Sequence, residues 1–400
     1  MRDTHQKRLA LFLDGTWNDP TDNTNVWRLK TLVAPCDELG TQQLVYYGTG
    51  VGTRWHDRIR GGVAAYGLSE NVLDAYRWLV EHHDEGNEIF VYGFSRGAFT
   101  ARSLVGLVAA CGLLRPGSAM NADEVFDRYR QRADVTPLHQ LEFQKNGGRN
   151  EFEADDQWLL DNSRRVSIDF IGIWDTVGTL GVPFGSIPGV SRRKLTFHNT
   201  RLSTIFKRGC HALAVDEHRA PYDASLWTNF LPFNHSGGVV PERRAAVYHP
   251  DFEQRWFVGA HGNVGGGYRR DRLAQIPLRW IQQESCKAGL AFRRHIELSG
   301  DEHLREPVVD SYAEFLSGLY RAVRMGRRYY REIGRAAVPV ERGLVETVNE
   351  TIDRTVVERW QSDANYRPSN VAAWARSREV DLDKLVVREP AVPVSDAVFG

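Results

Sequence analysis

Short apolar runs that stop at polar, glycine-bearing turns recur along the chain, and helical spacing follows most of them. Leu9 to Leu13 is the first such run, closed by Asp14-Gly15-Thr16-Trp17-Asn18. Beyond it Val26, Leu29, Leu32 and Val33 repeat at the spacing of one helix face. Leu44 to Tyr47 is a second run, ending in Gly48-Thr49-Gly50-Val51-Gly52-Thr53. Tyr66, Leu68, Val72, Leu73, Ala75, Tyr76 and Leu79 predict an amphipathic helix, and Ile89 to Tyr92 a third strand. Strands that read as unbroken apolar runs are buried on both faces, and their alternation with helices builds parallel units. The pattern predicts an α/β fold, a mostly parallel sheet with helices on both faces.

The order then loosens. Residues 116–165 are polar, with short helices expected at about 122–132 and 151–161, and are taken as an insertion over the working edge of the sheet. Val166 to Trp174 is a further buried strand, ended by Asp175-Thr176-Val177-Gly178. Residues 179–253 form a second lid-like insertion with a helix-like stretch from Ala212, and Arg255 to Val258 is expected to be the last strand. Beyond Gly289 helical spacing is predicted along Tyr312, Phe315, Leu316, Leu319 and Val323, and again over Thr347 to Trp360. The division expected is a catalytic domain over 8–290 and a helical C-terminal extension over 291–400.

Charge changes this picture little. The 51 basic and 51 acidic side chains cancel, so nothing global draws the chain to nucleic acid, and no such partner is expected. A local exception is the basic, aromatic stretch Arg321 to Arg335, a candidate contact for an anionic membrane surface or for a partner protein of unknown identity. Cys36, Cys111, Cys210 and Cys286 show no paired spacing and are expected to be reduced. The apolar part of the N-terminal stretch is too short for a signal segment, and no window reaches the roughly 18 apolar residues of a span, so a cytoplasmic location is expected.

Candidate chemistry centres on Gly93-Phe94-Ser95-Arg96-Gly97, set between the third strand and a segment apolar almost all round. Strand, G-x-S-x-G, helix is the order of a nucleophile elbow. A serine hydroxyl needs an imidazole to take its proton, and the imidazole needs a carboxylate to fix its tautomer. Asp175 follows one strand and His261 another, in the chain order Ser, Asp, His. The oxyanion is expected to meet the backbone N–H of Arg96 and that of Gly15 or Thr16, with Asp14 in support. No metal and no cofactor is required. The loop Gly48 to Thr53 lacks the context of a dinucleotide site, Glu81 to Glu85 is taken as a solvated helix end, and the LDGT segment lacks the second aspartate of a metal phosphatase.

LFLDGTWND, YYGTGVGT, YGFSRGA, GIWDTVG, HALAVDEHR and HGNVGGGY resemble the successive motifs of the DUF2235 family, α/β-hydrolase domains related to Tle1-type phospholipase effectors of type VI secretion. The resemblance runs from about Leu9 to about Ile281, and VNETIDRTVVERW with YRPSNV is similar to the trailing part of that family. It implies an α/β-hydrolase serine esterase with Ser95 as nucleophile, His261 as base and Asp175 as orienting acid, acting on a lipid or phospholipid ester. Asn263 departs from the family, which usually carries Asp there. Thioesters and small esters are alternative substrates, and a catalytically weakened binding module is the alternative role.

Overall fold

The computed structural model describes residues 6–15, 18–49, 63–131, 135–178, 205–233, 251–298, 305–314, 318–340 and 343–394. Its centre is an eight-stranded sheet. In chain order the strands are β1 (Arg8–Leu13), β2 (Gln43–Gly48), β3 (Glu88–Phe94), β4 (Ile168–Trp174), β5 (Phe206–Ala214), β6 (Phe252–Phe257), β7 (Glu350–Asp353) and β8 (Ala391–Pro393). They lie side by side as β8-β7-β6-β5-β4-β3-β1-β2. Every pairing is parallel except that of β7 with the edge strand β8. A parallel sheet sends all its strand C-termini to one edge, where ligands of such folds sit.

The first three strands are followed by α1 (Asn25–Leu32), α2 (Val63–His82) and α3 (Arg96–Cys111). An insertion holds α4 (Ala122–Arg130), α5 (Leu138–Asn146) and α6 (Ala154–Asn162). Then α7 (His261–Gly265) and α8 (Arg272–Lys287) follow β6, and α9 (Arg354–Ser362) and α10 (Ser369–Ser377) follow β7. Alternation along the strands sorts the core into two layers. Leu9, Leu11, Ile89, Val91 and Ile171 pack with α2 and α3; Phe12, Tyr92, Trp174 and Trp256 pack with α1, α8, α9 and α10. The helices on both faces and this strand order make the fold an α/β hydrolase.

Four expectations need correction. The stretch from Ala212 is no helix: Phe206–Ala214 is a central strand, pairing β4 on one side and β6 on the other. Both its faces are covered, so small apolar residues that also suit helices are selected there by burial. Arg255 to Val258 is not the last strand, and Thr347 to Trp360 is not one helix. Glu350–Asp353 extends the sheet parallel to β6 before α9 begins, with Asp353 capping that helix through the amide of Thr355. The segment 291–400 therefore adds two strands to the sheet as well as helices. The insertion 116–165 has three helices and does not cover the working edge. Its ends close as a short antiparallel pair, Leu113–Leu114 with Ser163–Arg164, just after α3 has run back across the sheet. The Arg77–Asp123 ion pair and the Cys111 thiol at Val125 O fix it to the halves of α2 and α3 remote from Ser95. Much of the second insertion, and the loop Gly50 to Thr53, lie outside the described residues.

Candidate active site

β3 delivers Ser95 through a sharp turn. The residue has φ 58° and ψ −120°, a strained backbone for a side chain and one that persists only where its surroundings enforce it. They do so here: the Ser95 amide donates to the carbonyl of Trp174 at 3.0 Å on the neighbouring strand. A Cβ on Gly97 would overlap the carbonyl oxygen of Leu13, and one on Gly93 would lie 2.7 Å from the amide nitrogen of Ala98. Glycine at both positions lets α3 start directly behind the strand. Arg96 is the first residue of α3, where amides have no carbonyl four residues back within the helix.

The loops after β4 and β6 bring two further groups to this hydroxyl. His261 Nε2 is 2.8 Å from Ser95 Oγ, and its Nδ1 is 2.6 Å from Asp175 Oδ2. With the proton on Nδ1 donated to the carboxylate, Nε2 accepts from the serine hydroxyl. The rings of Phe94 and Tyr222 stand against the imidazole, at centroid distances of 4.7 and 5.2 Å, the latter edge-on. Burial lowers the pKa of His261 and outweighs the opposite pull of Asp175, favouring the neutral imidazole that can take a proton. Burial would raise the pKa of Asp175, but the charge of Arg331 and the bond to His261 overcome it and hold the carboxyl far below its ordinary range.

Several residues of this arrangement were not singled out from sequence. Arg331, from the basic stretch, is fully buried and forks onto Asp175, Nη1 to Oδ1 at 2.6 Å and Nη2 to Oδ2 at 2.9 Å. Two consecutive carboxylates of the ALAVDEHR motif hold the loop that carries His261. Asp216 accepts the amide of Gly259 at 2.7 Å, and Glu217 accepts that of His261 at 3.3 Å while Arg219 grips it with two bonds of 2.8 Å. The ALAVDEHR motif carries the sequence signal for this role, although its apolar spacing also suits a helix. Asn263 is fully buried and lies in the same loop, where its Oδ1 accepts the amides of Ala260 and Val309.

On the first strand, Asp14 is buried and accepts from the Gly15 amide at 2.8 Å, the Thr24 hydroxyl at 2.6 Å and the Tyr47 hydroxyl at 2.9 Å. Burial pushes its carboxyl up to about 6 in spite of these bonds. Gly15 stands against the elbow, since a Cβ there would be 3.3 Å from Ser95 Cβ. Its N–H is committed to Asp14 rather than directed at the serine, and Thr16 lies outside the described residues. His82 bonds and stacks with Trp78 at the end of α2, away from this edge. Among the described residues no group of three or more His, Cys, Asp or Glu side chains is set to hold a metal ion.

A family model described as the type VI secretion (T6SS) phospholipase effector Tle1-like catalytic domain matches residues 7–284. An uncharacterized protein of Saccharomyces cerevisiae is 25% identical over 242 residues, which is 56% of this chain and 33% of the yeast protein; the chain thus spans about a third of that relative. Among solved structures, the Tle1 effector bound to the VgrG spike of the type 6 secretion system is 13% identical over 80% of each chain, with a TM-score of 0.42. Thermogutta terrifontis esterase 2 phosphorylated by paraoxon is 12% identical over 72% of this chain and 84% of its own, with a TM-score of 0.34.

Proposed function

Because the chain belongs to the T6SS phospholipase effector Tle1-like catalytic-domain family, we propose that it is a serine hydrolase that cleaves carboxylic esters of lipids, phospholipids foremost, through an acyl-enzyme. The observation that carries the reading is the unbroken relay Ser95–His261–Asp175, with bonds of 2.8 and 2.6 Å at one sheet edge.

In this reading Ser95 Oγ attacks the acyl carbonyl as its proton passes to His261 Nε2. Asp175 keeps Nδ1 protonated and stabilises the imidazolium. The Arg96 amide, at the start of α3, meets the oxyanion, and the turn after β1 supplies the second donor. Gly15 and Thr16 remain the two candidates for that donor, and the Gly15 amide would first have to leave Asp14. His261 then protonates the departing alcohol, and in the second half-reaction it draws a proton from the water that attacks the acyl-serine carbonyl. No step requires a metal or a cofactor.

The basic stretch Arg321 to Arg335 suits a lipid substrate. Among the residues after Gly318, Val323 and Met325 are exposed amid Arg321, Arg324 and Arg327, which are exposed too. Apolar tips ringed by cations favour peripheral contact with an anionic bilayer. Among the described residues no helix is long and apolar enough to cross a membrane. The substrate is tested by comparing kcat/KM for phospholipid vesicles, short acyl esters and acyl thioesters, with Ser95→Ala as control. Preference for phospholipid supports the reading; preference for thioester or short ester transfers the same mechanism to that substrate.

A further inference from the structure

We infer that Arg331 is a positioning residue for this reaction, a guanidinium brought in from the C-terminal segment that keeps the Asp175 carboxylate ionised and turned so that Oδ2 faces His261. The inference rests on the serine-hydrolase reading and adds to it a residue beyond the 7–284 family match.

Asp175 is fully enclosed, and so is Arg331. A buried carboxylate with no opposite charge takes up a proton instead of remaining an ion, and a protonated Asp175 would lose much of its hold on the Nδ1 proton. Among the described residues the carboxylate has one other donor besides His261 and Arg331, the Ala214 amide, 2.9 Å from Oδ1. Of these three donors, Arg331 alone carries a permanent charge. Its fork is fixed in turn by the carbonyls of Ala214, at 3.0 Å, and Tyr222. The same Tyr222 stands edge-on to the imidazole, so one residue holds both the arginine and the histidine it serves.

Arg331 and His261 share Oδ2, and this sets the sign of the effect. Arg331 already draws on the oxygen that would stabilise an imidazolium, so His261 stays neutral to lower pH than it would beside a lone carboxylate. Other charged or titratable groups face the pair without bonding to Asp175: Glu217 gripped by Arg219, Asp223 paired with Arg335 at 2.8 Å, and His211, whose Nε2 accepts the Thr176 amide at 3.2 Å. Arg102 is held by the carbonyls of Ser225 and Leu226.

Arg331→Met and Arg331→Lys in the full chain test this, with kcat and KM followed against pH on a soluble acyl ester, and with thermal unfolding and fluorophosphonate labelling as checks. Arg331→Met is expected to lower kcat by tenfold or more, to leave KM within about threefold, and to move the acid limb of kcat/KM up by about one pH unit. Loss of Arg331 raises that limb whether His261 gains basicity or Asp175 takes a proton. Lysine keeps the charge without the fork, so Arg331→Lys should recover part of kcat and return the limb toward wild type; where the Met variant does not fold, a limb displaced upward in the Lys variant supports the inference. Arg331→Met added to Asp175→Asn should cost no further kcat, because the arginine acts through the carboxylate. An unmoved limb in a folded, labelled variant, or a full additional loss in the double variant, overturns the inference and leaves the serine-hydrolase reading standing. A folded wild type that takes no label overturns that reading, and this inference with it.

Discussion

The Oδ1 of Asn263 lies 3.1 Å from the amide of Val309 and 3.2 Å from that of Ala260, so Asn263 fastens the loop that carries His261 and does not bond to the proton relay. Its Nδ2 is buried without a partner, and a carboxylate at this position would accept both amides with no donor left over. Asp and Asn at this position can therefore make the same loop. Asn263→Asp is expected to keep kcat within about threefold, whereas Asn263→Ala strands two amides and should cost about 1–3 kcal/mol in urea unfolding. A loss of kcat of a hundredfold or more in a folded Asp variant would contradict this account.

Gly97 tests the elbow as packing. A side chain there meets backbone of the first strand, which cannot swing aside as a flexible side chain can. Gly97→Ala is expected to destabilise by about 3 kcal/mol or more, read as a lowered urea midpoint or as loss of soluble protein. A variant as stable as wild type would mean that α3 and β1 are further apart than described.

Asp14 gives a stability signature with a defined sign. Its folded pKa of about 6 exceeds the ordinary aspartate value of 3.8, so the folded state holds this proton more tightly than the unfolded chain does. The contribution is full below the unfolded pKa and is lost as pH rises from about 4 to about 6. Relative to Asp14→Asn, wild type should lose up to about 3 kcal/mol across that window. Parallel stability curves for the two proteins would show that the carboxyl is not raised.

For the imidazole the sign is opposite. Burial lowers the pKa of His261 from its usual 6.5, and the neutral form is the active one, so the acid limb of kcat/KM should lie below that value. A limb at or above 6.5 would show that Asp175 outweighs burial.

What the sequence displayed and what it concealed follow from how each residue is satisfied. Strands whose two faces are covered by apolar side chains, such as Leu9 to Leu13 and Ile168–Trp174, announce themselves, and with them the edge that holds Ser95 and Asp175. Glu350–Asp353 does not, because its carboxylates are buried and paired: Glu350 accepts the Trp256 indole at 2.8 Å, and Asp353 caps a helix. A reader of hydropathy sees a polar stretch where the fold has a strand. Arg331 is hidden in the same way. Within Arg327-Arg328-Tyr329-Tyr330-Arg331 nothing local separates the arginine that turns inward from Arg328, which pairs with Asp310 at the surface. That distinction is made by a partner far away in the chain, at Asp175.

The account turns on Ser95 as nucleophile, and labelling by a fluorophosphonate probe measures that most directly. Folded wild-type protein should take up one probe, at Ser95, and Ser95→Ala should take up none while keeping its unfolding midpoint. Absence of label on folded wild type, or label that survives the substitution, would contradict it.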